Sequence, residues 1–122
     1  MTTDAELFEA LKYRVEVDHH GTRRYYNSSN LLHREAGPAV VRGDGAKFWY
    51  QNNQLHCEDG PAVVCDGVAK EWWFKGVRHR INGPAVIFPS GRKEWWLNGV
   101  EYTEQGYRTQ LKTLEQDRKS VV

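Results

Sequence analysis

The tetrapeptide Gly-Pro-Ala-Val occurs three times in this chain at one constant spacing, and no other feature constrains the fold as strongly. The copies begin at Gly37, Gly60 and Gly83, each 23 residues after the last. Two further kinds of residue recur once per unit at this spacing, and each such set of equivalent positions is called a column. The histidine column is His33, His56 and His79. The basic column, in which each residue is followed by aromatic residues, is Arg24, Lys47, Lys70 and Lys93. Because such self-similarity is the signature of repeat architectures, the sequence predicts about four copies of one unit of roughly 23 residues.

Each unit contains two candidate β-strands joined by a tight turn. The first is short and β-branched, and its proline stands at the strand start, where the missing amide hydrogen costs no ladder bond. The second is aromatic, and Asp-Gly or Ser-Gly between the two favours a hairpin because glycine reaches positive φ without strain. The first strands are predicted at residues 15–18, 39–42, 62–65 and 85–88, and the second at 22–27, 46–51, 69–74 and 92–97. Eight short strands with turns between them predict a mainly β fold, an antiparallel meander.

Both ends of the array are expected to be helical. The capping-box pattern Thr3-x-x-Glu6 precedes apolar residues on one helical face, and Thr103 opens a segment with apolar residues at helical spacing. Repeat arrays need atypical ends to cover the last unit's open edge and core. The chain is therefore expected to be a single domain, with an N-terminal cap at 1–12, four repeats at 13–102, a C-terminal capping helix at 103–118 and a tail at 119–122.

Charge and composition exclude some partners. The 17 Lys plus Arg residues are balanced by 16 Asp plus Glu residues, so the net charge gives no argument for nucleic acid or an anionic membrane as a bulk partner. The N-terminus lacks the features of a signal peptide, and no apolar run approaches the roughly 18 residues of a membrane span. Cys57 and Cys65 are expected to be reduced thiols. These features predict a cytoplasmic protein without membrane insertion.

The repeat columns resemble a MORN-type repeat, in the variant that reads His-Arg-x-x-Gly-Pro-Ala-Val, then x-Asp-Gly, then Lys-x-Trp. Here the pattern stands at Leu32–Val40 and begins again at Leu55 and Arg78. The resemblance covers roughly residues 13–102, and this variant is familiar from small proteins of bacteriophages and bacteria. If a phage encodes the chain, its expected location is the host cytoplasm. It implies an elongated, twisted, single-layer antiparallel sheet. It also implies a scaffold, a protein-binding surface or a lipid-associated platform, without catalytic residues and without a cofactor.

The doubled aromatic residues predict an aromatic ladder on each face of the sheet, because adjacent strand residues point to opposite faces. One predicted ladder is Tyr26, Trp49, Trp72 and Trp95, and the other is Tyr50, Trp73 and Trp96 with Asn27 in the first unit. For a single tryptophan, packing within the protein is favoured over ligand contact. A single-layer sheet nevertheless exposes apolar area that a monomer seldom leaves uncovered, so both ladders are candidate binding surfaces.

The basic column beside the aromatics supports two readings. Lys47, Lys70 and Lys93, with Arg24, could line a stripe at which bases stack on tryptophan, as in proteins that bind nucleotides or single-stranded nucleic acid. The favoured reading is that these cations are solvated and pair across strands with Glu71 and Glu94. The three lysines therefore join the aromatic residues as candidate binding residues.

No catalytic or metal-binding constellation emerges from the sequence. Histidines one unit apart lie about two strand spacings, or roughly 10 Å, from each other, which is too far for one metal ion with ligands at about 2 Å. We expect each histidine to make a hydrogen bond that fixes the loop before Gly-Pro. The chain has no Ser-His-Asp arrangement, no phosphate-cradling glycine loop and no H-E-x-x-H motif. We therefore expect no catalytic residue, no metal site and no enzymatic activity.

The leading hypothesis is a non-catalytic protein-binding module with a host protein as its partner. A phage-encoded inhibitor of a host defence system, of the anti-CRISPR or another counter-defence type, is a specific form of it. The alternative is a protein that binds or sequesters a nucleotide signal or single-stranded nucleic acid through the tryptophan and lysine columns. A third possibility is a homodimer formed through the sheet edge or the aromatic face.

Overall fold

A computed structural model describes Thr3, Asp4, Leu7 and residues 11–120, and within this part of the chain the fold is mainly β. The strands are β1 (Arg14–Val17), β2 (Arg23–Tyr26), β3 (Val40–Val41), β4 (Lys47–Phe48), β5 (Tyr50–Gln51), β6 (Gln54–Leu55), β7 (Val63–Val64), β8 (Lys70–Glu71), β9 (Trp73–Phe74), β10 (Val77–Arg78), β11 (Val86–Ile87), β12 (Lys93–Leu97) and β13 (Val100–Tyr102). One long helix, α1 (Glu104–Ser120), follows. No helix among the described residues is long and apolar enough to cross a membrane.

Nine of the strands form one antiparallel sheet in the order β1-β2-β3-β4-β7-β8-β11-β12-β13. Every neighbouring pair is antiparallel, and the main sheet follows the chain without a crossover. The remaining strands form two small hairpins, β5–β6 and β9–β10, which leave the main sheet. The predicted antiparallel meander is confirmed at this level.

The hairpins add strands that the sequence reasoning did not predict. The Asn52-Asn53 turn has φ values of 49° and 66°, and the Lys75-Gly76 turn has 49° and 83°. Positive φ at both central residues is the geometry of a two-residue hairpin turn whose twist matches that of the flanking strands. The prediction ended the strands of each unit at these turns. The turns instead send the chain back as β6, β10 and β13, so the prediction of eight strands is wrong.

The aromatic strands of the two middle units are also interrupted, at Trp49 and Trp72. The backbone N–H of Trp49 donates to the carbonyl of Ala62 in the main sheet, at 2.8 Å, while its own carbonyl accepts from the N–H of His56, at 2.9 Å. Trp72 makes the same two bonds one unit later, with Ala85 and His79. Each tryptophan is therefore the point where the chain passes from the main sheet into its hairpin, and the single strands predicted at 46–51 and 69–74 are split.

The core of the main sheet is built from the small residues that follow each proline. Ala39, Ala62 and Ala85 are fully buried, and the valine after each of them is also buried. Alanine permits close backbone approach, and the β-branched valine suits a pleated strand. Tyr13, Tyr25 and Tyr107 are also buried, whereas the tryptophans are only half-buried. Most of the large aromatic surface therefore lies around the core of small residues.

Helix α1 begins where Thr103 caps it: the Thr103 hydroxyl accepts the N–H of Gly106 at 3.1 Å. Its Tyr107 is buried and lies against Trp95, with ring centroids 5.0 Å apart. The helix continues to Ser120, beyond the predicted boundary at residue 118. Most of the N-terminal cap predicted at 1–12, and the last two residues of the predicted tail, fall outside the described residues.

Candidate binding groove on the Trp49 face

The first unit departs from the predicted register by one residue. His33 donates its backbone N–H to the carbonyl of Tyr25, as His56 does to Trp49. The cause is the turn after β2, because Tyr26 and its bridge partner Leu32 lie six positions apart, whereas Tyr50 and Leu55 lie five apart. The correct ladders are Tyr25, Trp49, Trp72 and Trp95 on one face, and Tyr26, Tyr50, Trp73 and Trp96 on the other.

An asparagine side chain stabilises this longer turn. The Asn27 carboxamide oxygen accepts the backbone N–H groups of Ser29 and Leu31, at 3.0 and 3.1 Å. The same shift places Arg23, and not Arg24, in the column of Lys47, since Arg23 pairs with Val41 as Lys47 pairs with Val64. Arg24 belongs instead to a turn pair with Asp18, at 2.9 Å. This contact and the N–H groups of Thr22 and His20 lower the pKa of Asp18 to about 2.

Arginine side chains cover two aromatic rings of the Tyr25, Trp49, Trp72 and Trp95 ladder. The guanidinium carbon of Arg34 lies 4.0 Å from the ring centroid of Tyr25, and that of Arg80 lies 3.9 Å from the ring of Trp72. Each arginine also donates from Nη1 to a proline carbonyl, Arg34 to Pro38 at 3.3 Å and Arg80 to Pro84 at 3.0 Å. Burial in this cradle lowers the pKa of Arg80, because a guanidinium partly withdrawn from water is less easily kept charged.

A glycine completes each of these arginine cradles. A Cβ atom added at Gly37 would lie 3.3 Å from the guanidinium carbon of Arg34, and one added at Gly83 would lie 3.2 Å from that of Arg80. The absence of a side chain therefore leaves room for the guanidinium. Each cradle consists of an aromatic ring, a glycine and the carbonyl of the following proline.

The middle unit has the same cradle, but Cys57 stands where the other two units have arginine. A groove of about 520 Å³ opens there, over the ring of Trp49. A Cβ atom added at Gly60 would meet nothing within 4 Å. Within the described chain, no cation lies over Trp49 and no donor reaches the carbonyl of Pro61. The residues that shape the groove are Trp49, Gln51, His56, Cys57, Gly60 and Pro61.

Carboxylates border this groove. Glu35, Glu58 and Asp59 line it, with the guanidinium of Arg34 at the same border. The Glu35 carboxylate forms an ion pair with Nζ of Lys12, 2.5 Å from Oε2, and this contact lowers the pKa of Glu35. Glu58 is largely exposed and faces Nε2 of His56 at 3.5 Å. The groove edge is therefore net acidic.

A second groove of about 520 Å³ lies beside the first, and the loop from Cys57 to Gly60 contributes to both. Its wall includes Trp72, Phe74 and Ile81. Here Arg80 fills the cradle beside Trp72, and the lining also includes Glu58, Asp59, His79 and Asn82. The two grooves adjoin each other at the loop from Cys57 to Gly60.

The histidine column joins one unit to the next. Each Nδ1 atom accepts the backbone N–H of the hairpin turn 19 residues further on, and the pairs are His33 with Asn52 (3.1 Å), His56 with Lys75 (2.9 Å) and His79 with Asn98 (2.9 Å). We predicted a hydrogen bond that fixes the loop before Gly-Pro, but the bond reaches the next hairpin instead. Burial lowers the pKa of His79. Among the described residues, no group of three or more His, Cys, Asp or Glu side chains is placed to hold a metal ion.

On the opposite face, Trp73 and Trp96 are engaged with neighbouring side chains. The indole N–H of Trp73 donates to Glu71 at 3.2 Å, and that of Trp96 donates to Glu94 at 3.0 Å. The Arg78 guanidinium lies between the two rings, 5.3 and 5.1 Å from their centroids, and pairs with Glu71 at 2.9 Å. Tyr50 is half-buried in its own hairpin. The rings of Trp73 and Trp96 are therefore less available to a ligand than that of Trp49.

The lysine column does not pair as expected. Lys47, Lys70 and Lys93 are exposed, while Glu71 pairs with Arg78 and Glu94 with Arg92. On the groove face, Trp95 is covered by Tyr107, and the guanidinium of Arg108 lies 5.8 Å from its ring. Of the predicted site residues, the structure thus places Trp49 and Trp72 in two adjoining grooves and leaves the lysines exposed outside both.

Sequence reasoning missed the arginine cradles. Their signal was present, since the residue after each column histidine reads Arg34, Cys57 and Arg80. The register predicted for the first unit was wrong by one residue, and the corrected register is needed to place Arg34 over Tyr25. The chain matches no protein-family model, no curated protein and no solved structure.

Proposed function

We propose that this chain is a MORN-like tandem-repeat protein that acts as a non-catalytic protein-binding module. The repeat assignment is supported by contacts that recur with the unit, including the histidine-to-turn hydrogen bonds and the arginine cradles. Helix α1, packed on Trp95 through Tyr107, then caps the last unit.

The observation that carries the binding function is the groove over Trp49. Every other aromatic residue of that ladder is covered by an arginine or by helix α1, whereas Trp49 borders an open groove. Tryptophan in a concave site is the residue type that most often supplies binding energy at protein interfaces. The second groove extends the surface along Phe74 and Ile81, which suits an extended protein segment better than a small compact ligand.

An inhibitor of a host defence system, encoded by a phage, is the specific form of this proposal that we favour. Its support is the resemblance of the Gly-Pro-Ala-Val units to repeat proteins of bacteriophages. Such an inhibitor works by occupying a surface of its target, so it requires a contact surface and no catalytic group.

Affinity capture followed by native mass spectrometry tests the binding function. The tagged chain should recover a protein in stoichiometric amount, and Glu58→Lys should lose it, because this change reverses the charge of a largely exposed side chain at the groove edge. Since Glu58 also faces the buried His56, circular dichroism must first show that the variant is folded. Glu101→Lys is the matched control, since Glu101 is an exposed carboxylate outside both grooves. Recovery of no stoichiometric protein contradicts the proposal, and a mass of twice the chain alone points to a homodimer instead.

A second candidate, a nucleotide or single-stranded nucleic acid binder, is favoured by the exposed lysine column alone. Lys47 and Lys70 lie on strands two positions apart in the sheet, or about 10 Å, and neither is paired with Glu71 as expected. Tryptophan fluorescence titration with a short oligonucleotide tests it: quenching that falls with added salt and is lost in Lys47→Ala/Lys70→Ala supports it. A flat titration removes it.

A further inference from the structure

We infer that the groove over Trp49 is a receptor for an arginine side chain of a partner protein. This inference deepens the proposed binding function and rests on it. The chain itself shows how the cradle is used, because Arg34 and Arg80 fill the equivalent cradles on either side. Only the middle unit has the ring, the glycine and the proline carbonyl without an arginine of its own.

The three elements of the cradle match a guanidinium group. The ring of Trp49 offers a face for cation–π stacking, for which tryptophan is the best of the aromatic side chains. Gly60 leaves space where Gly37 and Gly83 bring a guanidinium close to the backbone. The carbonyl of Pro61 is an acceptor at the position where Pro38 and Pro84 accept Nη1 hydrogen bonds. Lysine fits this arrangement less well, because its ammonium group is not planar and cannot stack.

The groove edge favours a guanidinium group. Glu58 and Asp59 flank the groove, so they attract this cation, whereas the α-ammonium and α-carboxylate of free arginine are acted on with opposite signs. The α-groups of the free amino acid therefore add no net attraction at this edge. The second groove adjoins this one at the loop from Cys57 to Gly60 and offers Phe74 and Ile81, which neighbouring residues of a partner segment would contact. The same carboxylates disfavour a phosphate-bearing ligand at this position.

The first test is a titration of the folded chain with N-acetyl-arginine amide, followed by NMR on the tryptophan indole N–H signals. The signal of Trp49, assigned by its loss in Trp49→Phe, should move, and N-acetyl-lysine amide should move it with about fivefold or more weaker affinity. Free arginine should bind no more tightly than the blocked amide, because its α-ammonium and α-carboxylate cancel in net charge at the groove edge. An unmoved Trp49 signal, or an equal response to the lysine amide, overturns the inference.

Two cysteine–arginine exchanges provide matched variants. Cys57→Arg supplies the side chain that the neighbouring units already have, so it should fold, occupy Trp49 from within and abolish the response to the arginine amide. Arg80→Cys removes the cover of Trp72 and should make the Trp72 indole signal respond as well. If Cys57→Arg folds and Trp49 still responds as in the unsubstituted chain, the site is not the cradle. If Cys57→Arg does not fold, a failure of Trp72 to respond in Arg80→Cys overturns the inference just as well.

The failure of this inference is distinguishable from the failure of the binding function. A protein partner that binds Cys57→Arg as tightly as the original chain overturns the arginine receptor and leaves the protein-binding function in place. If no protein partner is found while the arginine amide still moves the Trp49 signal, the binding function fails and the guanidinium chemistry of the groove stands.

Discussion

His79 is the residue at which pH should act on the fold. Its Nδ1 accepts the N–H of Asn98 at 2.9 Å, and burial lowers its pKa below the ordinary value of 6.5. The unfolded chain therefore binds a proton at this histidine more readily than the folded chain does. The stability that neutral His79 contributes is complete above pH 6.5 and is lost as pH falls through 6.5 towards the lower folded pKa.

We expect His79→Asn to flatten the dependence of unfolding free energy on pH between about 7 and 5, because asparagine keeps an acceptor oxygen but does not titrate. Chemical denaturation at several pH values measures this slope. His19→Asn is the control, since His19 is exposed and shows no hydrogen bond from its ring among the described contacts. Equal slopes for His79→Asn and the original chain contradict the prediction.

At the residue scale, the sequence predicted which residues form columns but not what each side chain contacts. The histidine spacing correctly indicated an equivalent role in each unit, yet its partner lies 19 residues away in the next hairpin. Side-chain direction depends on register, and the register of the first unit depends on one extra residue between Tyr26 and Leu32. That extra residue is a local choice of turn, stabilised by the Asn27 carboxamide, which periodicity does not reveal.

At the scale of elements, the turns of neighbouring units touch at Gly43. A Cβ atom added there would lie 2.1 Å from the backbone carbonyl oxygen of His20. This contact is between two backbones, so a flexible side chain cannot relieve it. Gly43→Ala should force apart the turn that joins β1 to β2 and the turn that joins β3 to β4, and lower the unfolding free energy by about 1–3 kcal/mol.

Gly60→Ala is the matched control for Gly43→Ala. A Cβ atom at Gly60 meets nothing within 4 Å, so this substitution should change stability by no more than about 0.5 kcal/mol. Urea denaturation followed by tryptophan fluorescence measures both. Equal effects of the two substitutions would show that glycine acts at Gly43 through chain flexibility and not through the contact with His20.

The strand predictions succeeded where local chemistry decides and failed where two partners compete. Pro38 and the valines after it predicted short buried strands, which the structure contains, shortened to two residues each. The aromatic strands looked continuous in the sequence. At Trp49, however, the backbone N–H donates to Ala62 in the main sheet, while the carbonyl accepts from His56, which follows the hairpin β5–β6. This division between two partners depends on tertiary pairing.

At the scale of the whole molecule, the units contact mainly their neighbours. The ring nitrogens of the histidine column accept hydrogen bonds from the turn of the following hairpin. In the main sheet, the strands stand side by side in the order in which they occur along the chain, with only the strands of the two small hairpins left out. If the units form the repeat array that we propose, stability is approximately a sum of unit and nearest-neighbour terms. The two ends therefore differ from the middle, because an end strand of the sheet has a neighbour on one side only. Tyr13 and Tyr107 are both buried there, and each places its hydroxyl on a loop of the adjoining unit.

Tyr107→Phe should loosen the C-terminal end without unfolding the rest. The Tyr107 hydroxyl donates to the carbonyl of Arg80 at 2.6 Å and accepts the N–H of Gly83 at 3.3 Å. Phenylalanine keeps the ring against Trp95 but leaves both groups without this partner, at a cost of about 1–3 kcal/mol. Tyr13→Phe removes one recorded bond, from the N–H of Glu35 at 3.0 Å, and should cost less.

Amide hydrogen exchange shows where that loss falls. If coupling runs between neighbours, Tyr107→Phe should lower protection from about residue 80 to the start of α1 and leave the amides of Tyr25 and Trp49 protected as before, since these bond Ala39 and Ala62 far from the helix. Tyr13→Phe should give the reverse pattern. A uniform loss of protection in both variants would mean that the sheet opens as one cooperative unit. In that case helix α1 stabilises every unit equally, and the end of the array has no separate stability.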